Sequence, residues 1–426
     1  MSTTVIVNKF TNGILDPSCE MLGPLESGGR MIVHTAPGCW GPMLTPKLRG
    51  GHEVTVPVFV QGAKPGDAVA ITIESIVVTS DATSSGTDAA VDGRFTSDPF
   101  VAAKCANCGQ EYPESEIQGT GIQAIVCKNC KSPVCAFEMP NGYTMVFDRE
   151  RNIGITVSEQ GAAAIASNAR DMMQLPQNSV QNPVALLSRS DLQGTVSRLR
   201  PFIGQLGTTP SITFPDSHNA GDFGQFLIGA SHGYAISEED LTHRTDGHMD
   251  INKVRQGATV ICPVKVDGAG VYVGDVHAMQ GEGEIAGHTC DVSAICVLRI
   301  DLVKNMPIKG PIILPAADDI PYLAKPLTTE EIKRAETLAK AHNTNIEHSL
   351  PISFVGTGAN LNNAIESGLN RASNLLDMSV DEVKNRVTIS GAIEIGRAPG
   401  VVIITFRVPL IFIKNKQFEQ ILKLSY

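Results

Sequence analysis

The chain has 426 residues, with 34 Lys and Arg against 44 Asp and Glu, a formal net charge of −10. That acidic balance argues against a nucleic-acid partner. With 42% hydrophobic and 18% charged residues the composition is that of a globular chain and excludes a disordered one, and the length favours two or three sub-structures over one core.

The N-terminus, Met1 to Lys9, lacks a basic region followed by a sustained apolar run, and the chain has no long apolar stretch. The expectation is a cytoplasmic protein without a membrane partner, whose ten cysteines serve as reduced thiols or metal ligands. Forty glycines and 25 prolines between short Val/Ile runs predict strands and turns.

Residues 1–78 read as the first part of a β body. The runs 55–60 and 68–76 are apolar, and the turn 61–67 between them carries Gly62, Pro65 and Gly66. The phrase Pro-Val-x-Val-x-Gly-Ala occurs at Pro57–Ala63 and again at Pro263–Ala269, each followed by a Gly-Asp pair. Two similar β elements packed together would account for it, each with a Gly-Asp turn at one end of the sheet; chance likeness of Val-rich strands is the alternative.

Residues 79–140 read as an insertion, with a long polar loop at 79–104. Cys105 and Cys108, then Cys127 and Cys130, form two C-x-x-C pairs at zinc-ribbon spacing. Four thiolates close a tetrahedral shell with no position for water, so a structural Zn2+ is expected, with a redox or disulfide role as the alternative. Cys135 lies near enough to substitute as a ligand.

Residues 141–320 read as the second part of the β body. In the extended run ending at His277, Asp275 and His277 share a face. Glu282 and Glu284 could do so after the turn. Carboxylates and an imidazole punctuated by Gly274, Gly281 and Gly283 suit a divalent metal that activates water, with a spare carboxylate as base; a polar turn closing a strand is the competing reading. His52, after Gly50-Gly51, and His248, within 246–250, could complete the shell. Gly-x-Ser-x-Gly does not occur, which disfavours serine catalysis.

Residues 321–426 form a predicted α+β lobe. Thr328 to Glu331 spells a capping box, Leu361, Ile365, Leu369 and Ala372 mark a second helix, and Ser379 opens a third. Strands are expected at 387–395 and 401–408, joined through Ala398-Pro399-Gly400.

Taken together, 50–67, 201–210, 247–250 and 274–284 resemble the acetamidase/formamidase family, in the family's order. The resemblance implies a mainly β fold (a duplicated sandwich- or barrel-like body with a zinc-ribbon insertion and a C-terminal α+β lobe), a homo-oligomer, and hydrolysis of small amides to a carboxylate and ammonia. His52 matches the histidine that opens the family's first motif, and Asp275, His277 and Glu284 fall on its most characteristic stretch. The chain departs from the family at His248, where Asn is frequent, at Glu282, where Asp is usual, and in the cysteine insertion.

The expected activity is metal-assisted hydrolysis of a small linear or cyclic amide. Glu284, Asp275 and His277 are the expected catalytic residues, with Glu284 as base. His52, His248, Asp275 and His277 would hold a second divalent ion, with zinc expected, and Asp250, Gly204, Gly207 and Gln280 would meet substrate. A zinc-ribbon scaffold without activity, and a hydrolase of another C–N substrate, are the competing readings.

Overall fold

Along strand Ala294–Val303, Ala294, Cys296, Leu298 and Ile300 are buried while Ile295, Val297, Arg299 and Asp301 are half-covered. This is the alternation of a strand with one face on a core. It pairs antiparallel with Gly29–Thr35 and Ala68–Val78 at the centre of one half of a nine-stranded sheet. The order across that sheet is Thr4–Val7, Gly29–Thr35, Ala294–Val303, Ala68–Val78, Thr259–Pro263, Ile312–Leu314, Ser349–Thr357, Val401–Pro409 and Gly391–Arg397. The computed structural model describes residues 3–426; Met1 and Ser2, with which the segment 1–78 begins, lie outside the described residues.

A four-stranded sheet, Phe202–Thr208, Val271–His277, Val58–Val60 and Leu22–Leu25, packs against the large one. Val33, Ile71, Val260, Val273 and Leu298 belong to the core they share. The mainly β body expected from the sequence is thus present as stacked open sheets and not as a closed barrel. The far end of the nine-stranded sheet is covered by helices Leu361–Leu376, Val380–Ser390 and Lys416–Ser425, through Leu369, Val383, Phe418 and Leu422. No helix among the described residues is long and apolar enough to cross a membrane.

The strands next to the two repeated phrases pair across the body. Val58 of the first phrase meets Val271, just beyond the second, and Thr259–Pro263, which ends on the second phrase's proline, runs antiparallel to Ala68–Val78. Corresponding turns close with the same bond, Ala63 N to Val60 O at 3.2 Å and Ala269 N to Val266 O at 3.1 Å. The Gly-Asp pairs differ in fate: Gly66-Asp67 is a turn before a strand, whereas Gly274-Asp275 lies inside one.

Two expectations are corrected. The polar stretch 79–104 contains a true strand, Ala82–Ala90, paired with Phe137–Phe147. Its buried Thr83 and Ser84 find partners on neighbouring segments, Ser84 the Thr144 hydroxyl at 2.8 Å and Thr83 the Asp291 carbonyl at 2.7 Å. At 387, helix Val380–Ser390 continues where a strand was expected, because Val383 and Val387 hold one buried helical face; the strand begins at Gly391.

Candidate active site

Strand Val271–His277 carries Asp275 and His277, and its partner Phe202–Thr208 holds it in register through Phe202↔His277 and Gln205↔Gly274. Asp275 leaves the pleat, with φ +54°, and Asp250 and Glu284 also adopt left-handed φ, +50° and +42°. Such backbone costs roughly 1–2 kcal/mol at a non-glycine residue. All three carboxylates turn into the same buried cluster, where the surrounding structure holds them. Two glycines make room: a Cβ on Gly38 would fall 1.6 Å from Asp275 Oδ1, and one on Gly204 would fall 2.5 Å from Asp250 Oδ1 and 2.9 Å from Asp275 Oδ2.

Three buried histidines reach the cluster with one nitrogen already committed. His277 Nδ1 meets Gln280 Oε1 at 3.1 Å, and the Gln280 amide nitrogen donates to the Asp250 and Gly396 carbonyls, which fixes the amide's orientation. His52 Nδ1 meets Gln205 Oε1 at 2.7 Å while Gln205 Nε2 donates to Asp216 O. His248 Nδ1 donates to Ser217 O at 2.6 Å. A carbonyl or an amide oxygen only accepts, so each Nδ1 bears a proton and each Nε2 is left to take up a cation, whether a proton or a metal.

Acids surround those nitrogens. His277 Nε2 lies 3.1 Å from Asp275 Oδ1 and 3.1 Å from Asp291 Oδ1; His248 Nε2 lies 2.9 Å from Asp250 Oδ2 and 3.6 Å from Asp275 Oδ2. Burial works against charge on His277, but Asp275 and Asp291 outweigh it and hold its proton affinity well above the ordinary value. Burial, then Asp250, pushes the Glu284 carboxyl well above the carboxylate range. Both Glu284 oxygens, both Asp291 oxygens, Asp250 Oδ1, Asp275 Oδ2 and His277 Nε2 lack hydrogen-bond partners. Such a gathering of unpaired buried polar atoms has the donor chemistry that could hold a cation.

Three overlapping donor sets meet there: His52, His248 and Asp275; Asp250, His277 and Glu284; and Cys39, Asp275, His277 and Asp291. Arg397 is buried at the edge, paired with Asp222 at 2.5 Å and with Asp250, and its Nη1 lies 2.9 Å from His248 Nε2. That guanidinium shares the approach to His248, which makes His277 the better-placed cation ligand.

The structure therefore brings together His52, His248, Asp250, Asp275, His277 and Glu284, with Gly204 against them. Gln280 lies behind His277, holding it. Gly207 lies elsewhere, its Cβ position 2.7 Å from Gly247 Cα and 3.2 Å from the Tyr272 hydroxyl. Glu282 is exposed, because left-handed φ at Gly283 and Glu284 breaks the alternation that would have aligned it with Glu284. The sequence reading missed Cys39, Asp291 and Arg397. Of these only Arg397, beside the Ala398-Pro399-Gly400 turn, carried a local signal.

A cavity of about 20 Å³ adjoins the cluster, lined among others by His52, His248, Cys39, Phe100, Phe223 and His288. Since about 10–15 Å³ holds one water, this space has room for about one. A far larger cavity, about 610 Å³, lies in the C-terminal lobe near Phe354 and Phe418 and includes none of the clustered histidines or acids.

Cys105, Cys108, Cys127 and Cys130 bring four sulfurs within 4.8 Å of one another. Hydrogen bonds from Asn107, then Ser132, hold the Cys130 thiol down to about 6, whereas burial lifts its neighbour Cys105 to about 11, so a bound metal would have to displace the Cys105 proton. Cys135 is not part of the group: its sulfur is buried and donates to Met43 O at 3.1 Å.

Comparison with known proteins places these features in a wider set. The sequence profile of the acetamidase/formamidase family matches residues 40–244 and 241–414. The chain is similar in fold to a predicted acetamidase/formamidase from Thermoanaerobacter tengcongensis, with TM-score 0.54, 15% identity and 95% of each chain covered. An acetamidase from Yersinia enterocolitica gives TM-score 0.53 and 15% identity over 95% of this chain and 92% of that one. A Schizosaccharomyces pombe protein provisionally named formamidase C869.04 is 32% identical over 74 residues, a match that spans 16% of this chain and 18% of that protein.

Proposed function

This chain belongs to the acetamidase/formamidase family, and from that premise we propose that it is a cation-dependent hydrolase of small linear or cyclic amides, releasing a carboxylate and ammonia or an amine. The observation that carries the reading is the set of three buried histidines whose Nδ1 protons are committed to fixed acceptors, with His277 Nε2 3.1 Å from the unpaired Asp291 Oδ1 and His52 and His248 grouped with Asp275. His277, His52 and Asp275, with His248, Asp250 and Asp291 around them, would hold a divalent ion, for which we propose Zn2+. Such an ion supplies Lewis acidity, polarising an amide carbonyl and acidifying water.

The side chains have separate tasks. Glu284, whose proton affinity is raised by burial and by Asp250, is the group that takes a proton from attacking water and passes it to the departing nitrogen. Gln280 and Gln205 keep His277 and His52 in one tautomer. Arg397 offsets the charge of Asp250 and Asp222.

We further propose a structural Zn2+ on Cys105, Cys108, Cys127 and Cys130. The family resemblance implies a homo-oligomer. Exposed Ile389, Ile393 and Tyr322, on and beside the edge strand Gly391–Arg397, offer a surface for it.

The test is ammonia release from formamide, acetamide, longer linear amides, lactams and ureas, with and without chelator, beside metal analysis. Turnover of a small amide that chelator abolishes and Zn2+ restores is expected, with kcat lowered roughly 10²–10⁴-fold by Glu284→Gln. Silence across the panel, with metal on the cysteines alone, would instead make the chain a non-catalytic scaffold. Activity confined to other C–N substrates would keep the hydrolysis and change its target.

A further inference from the structure

A second buried array backs the candidate cation site from the side of the cysteine insertion. His218 Nε2 lies 2.6 Å from Asp98 Oδ2, and His218 Nδ1 lies 2.8 Å from the Ser217 hydroxyl. All three side chains are buried, Asp98 at 1%, His218 at 0% and Ser217 at 4% exposure. Ser217 is therefore clamped by its hydroxyl, which also reaches Gly50 O at 3.1 Å, and its carbonyl is the acceptor for His248 Nδ1 at 2.6 Å. The same short turn, Asp216–His218, serves His52 as well. Asp216 O accepts from Gln205, which holds the His52 ring, and Asp216 Oδ1 accepts from the His52 backbone N–H at 2.7 Å. One turn thus sets the orientation of two candidate ligands, and Asp98 is the charged group that anchors the turn from outside.

Asp98 in turn is held by the cysteine module. Its other oxygen accepts from Phe100 N at 3.0 Å, and its carbonyl accepts from Ala102 N at 3.0 Å. The segment continues through the bridges Phe95↔Ala103 and Lys104↔Glu111 into the first cysteine knuckle, where Cys105 N donates to Gln110 O at 2.9 Å. The path from the four sulfurs to His248 is thus a run of backbone pairs followed by three short side-chain contacts.

We propose that Asp98 and His218 are positioning residues, through which metal occupancy of the four-cysteine module sets the affinity of the histidine cluster for its own cation. The idea rests on the cation-site reading above. It makes the insertion a control element of the site and not only a staple. Because coupling between two binding sites is reciprocal, a cation at the cluster also tightens the module's hold on its metal.

Cobalt(II) titration of the full chain carrying Cys39→Ser, which removes the only sulfur among the cluster's donor sets, separates the two sites, since thiolate ligation gives an intense sulfur-to-cobalt charge-transfer band and nitrogen and oxygen ligation gives only weak visible bands. Asp98→Ala is expected to leave the thiolate band unchanged and to weaken cobalt binding at the cluster roughly 10–100-fold, the range found when a group that orients a ligand is lost. Asp98→Asn keeps an acceptor for the His218 Nε2 proton and should recover most of that loss. Cys105→Ser with Cys108→Ser should weaken the cluster by a similar factor in the Cys39→Ser background and add little to Asp98→Ala, the non-additivity of one shared path.

Full cobalt affinity at the cluster in Asp98→Ala, or simple additivity with the cysteine changes, overturns the proposal. If Asp98→Ala does not fold, His218→Gln decides by the same titration: undiminished cluster affinity overturns the proposal, and a loss with the thiolate band intact supports it. Absence of the nitrogen/oxygen bands from the Cys39→Ser parent would refute the cation-site reading itself, an outcome distinct from unchanged variants.

Discussion

Gln280 Oε1 stands 3.1 Å from His277 Nδ1, and the two carbonyls that hold the Gln280 amide nitrogen make this contact a one-way hydrogen bond. Gln280→Ala frees the His277 ring to rotate and to change tautomer. Cation affinity of the histidine cluster should then fall roughly 10–100-fold with the four-cysteine metal unaffected. Competition against a chelator of known affinity measures this; equal affinities in variant and parent would show that Gln280 does not orient the ligand.

Two glycines of one strand should fail in different ways. In Gly204→Ala the new methyl lands 2.5 Å from Asp250 Oδ1 and 2.9 Å from Asp275 Oδ2, so activity and cation binding should be lost. In Gly207→Ala it lands 2.7 Å from Gly247 Cα, away from the cluster, and should cost about 1–3 kcal/mol of stability through overpacking while the site still binds its cation. Denaturant melts and cation titrations on both variants check the split, and a reversed pattern would contradict it.

In the cation-free protein His52 and His248 make opposite contributions to the pH dependence of stability on either side of pH 6.5. Burial holds His52 down to about 4, whereas for His248 burial acts the same way but Asp250 outweighs it and lifts the ring to about 9; both are near 6.5 unfolded. Between 4 and 6.5 the unfolded chain binds more protons at His52, so stability is lost as pH falls. Between 6.5 and 9 the folded chain binds more at His248, so stability is lost as pH rises. Melting temperatures of chelator-treated protein should show both limbs, with His52→Gln flattening the acid one and His248→Gln the alkaline one. Limbs that persist in the variants would assign them to other groups.

Arg397→Met should be severe. It strips the buried Asp222 and Asp250 carboxylates of their partner, a loss worth about 3–5 kcal/mol when a buried pair is broken. Arg397→Lys should recover only part, because an ammonium cannot reproduce the paired contact in which Nε and Nη2 address both Asp222 oxygens. Urea unfolding would reveal the difference, and a variant as stable as the parent would refute the assignment.

Much of this site could be read from local sequence. Asp275, His277 and Glu284 fall within one glycine-punctuated stretch, and His52 and His248 each sit beside glycine, so spacing and chemistry marked them. Asp291 and Cys39 lie in ordinary runs and join the cluster only through pairing, Asp291 by the bridge to His277 and Cys39 by the 3.8 Å contact with Asp275. Arg397 comes from the far edge of the sheet, and its neighbour Gly396 accepts the Gly283 amide at 3.3 Å, a relation that no periodicity encodes. The strand Ala82–Ala90 was hidden for a similar reason: Ser, Thr and Gly predict a loop, and only the cover supplied by distant residues makes them a strand. The capping box Thr328–Glu331 and the helix opened by Ser379 were legible because capping is local.

The nine-stranded sheet also limits how the chain can be cut. Shortening it at residue 320 would leave Ile312–Leu314, buried throughout, as a bare apolar edge inviting pairing between molecules. It would also delete the guanidinium that neutralises Asp250. A product cut there would therefore carry an adhesive edge and an uncompensated negative charge at its centre.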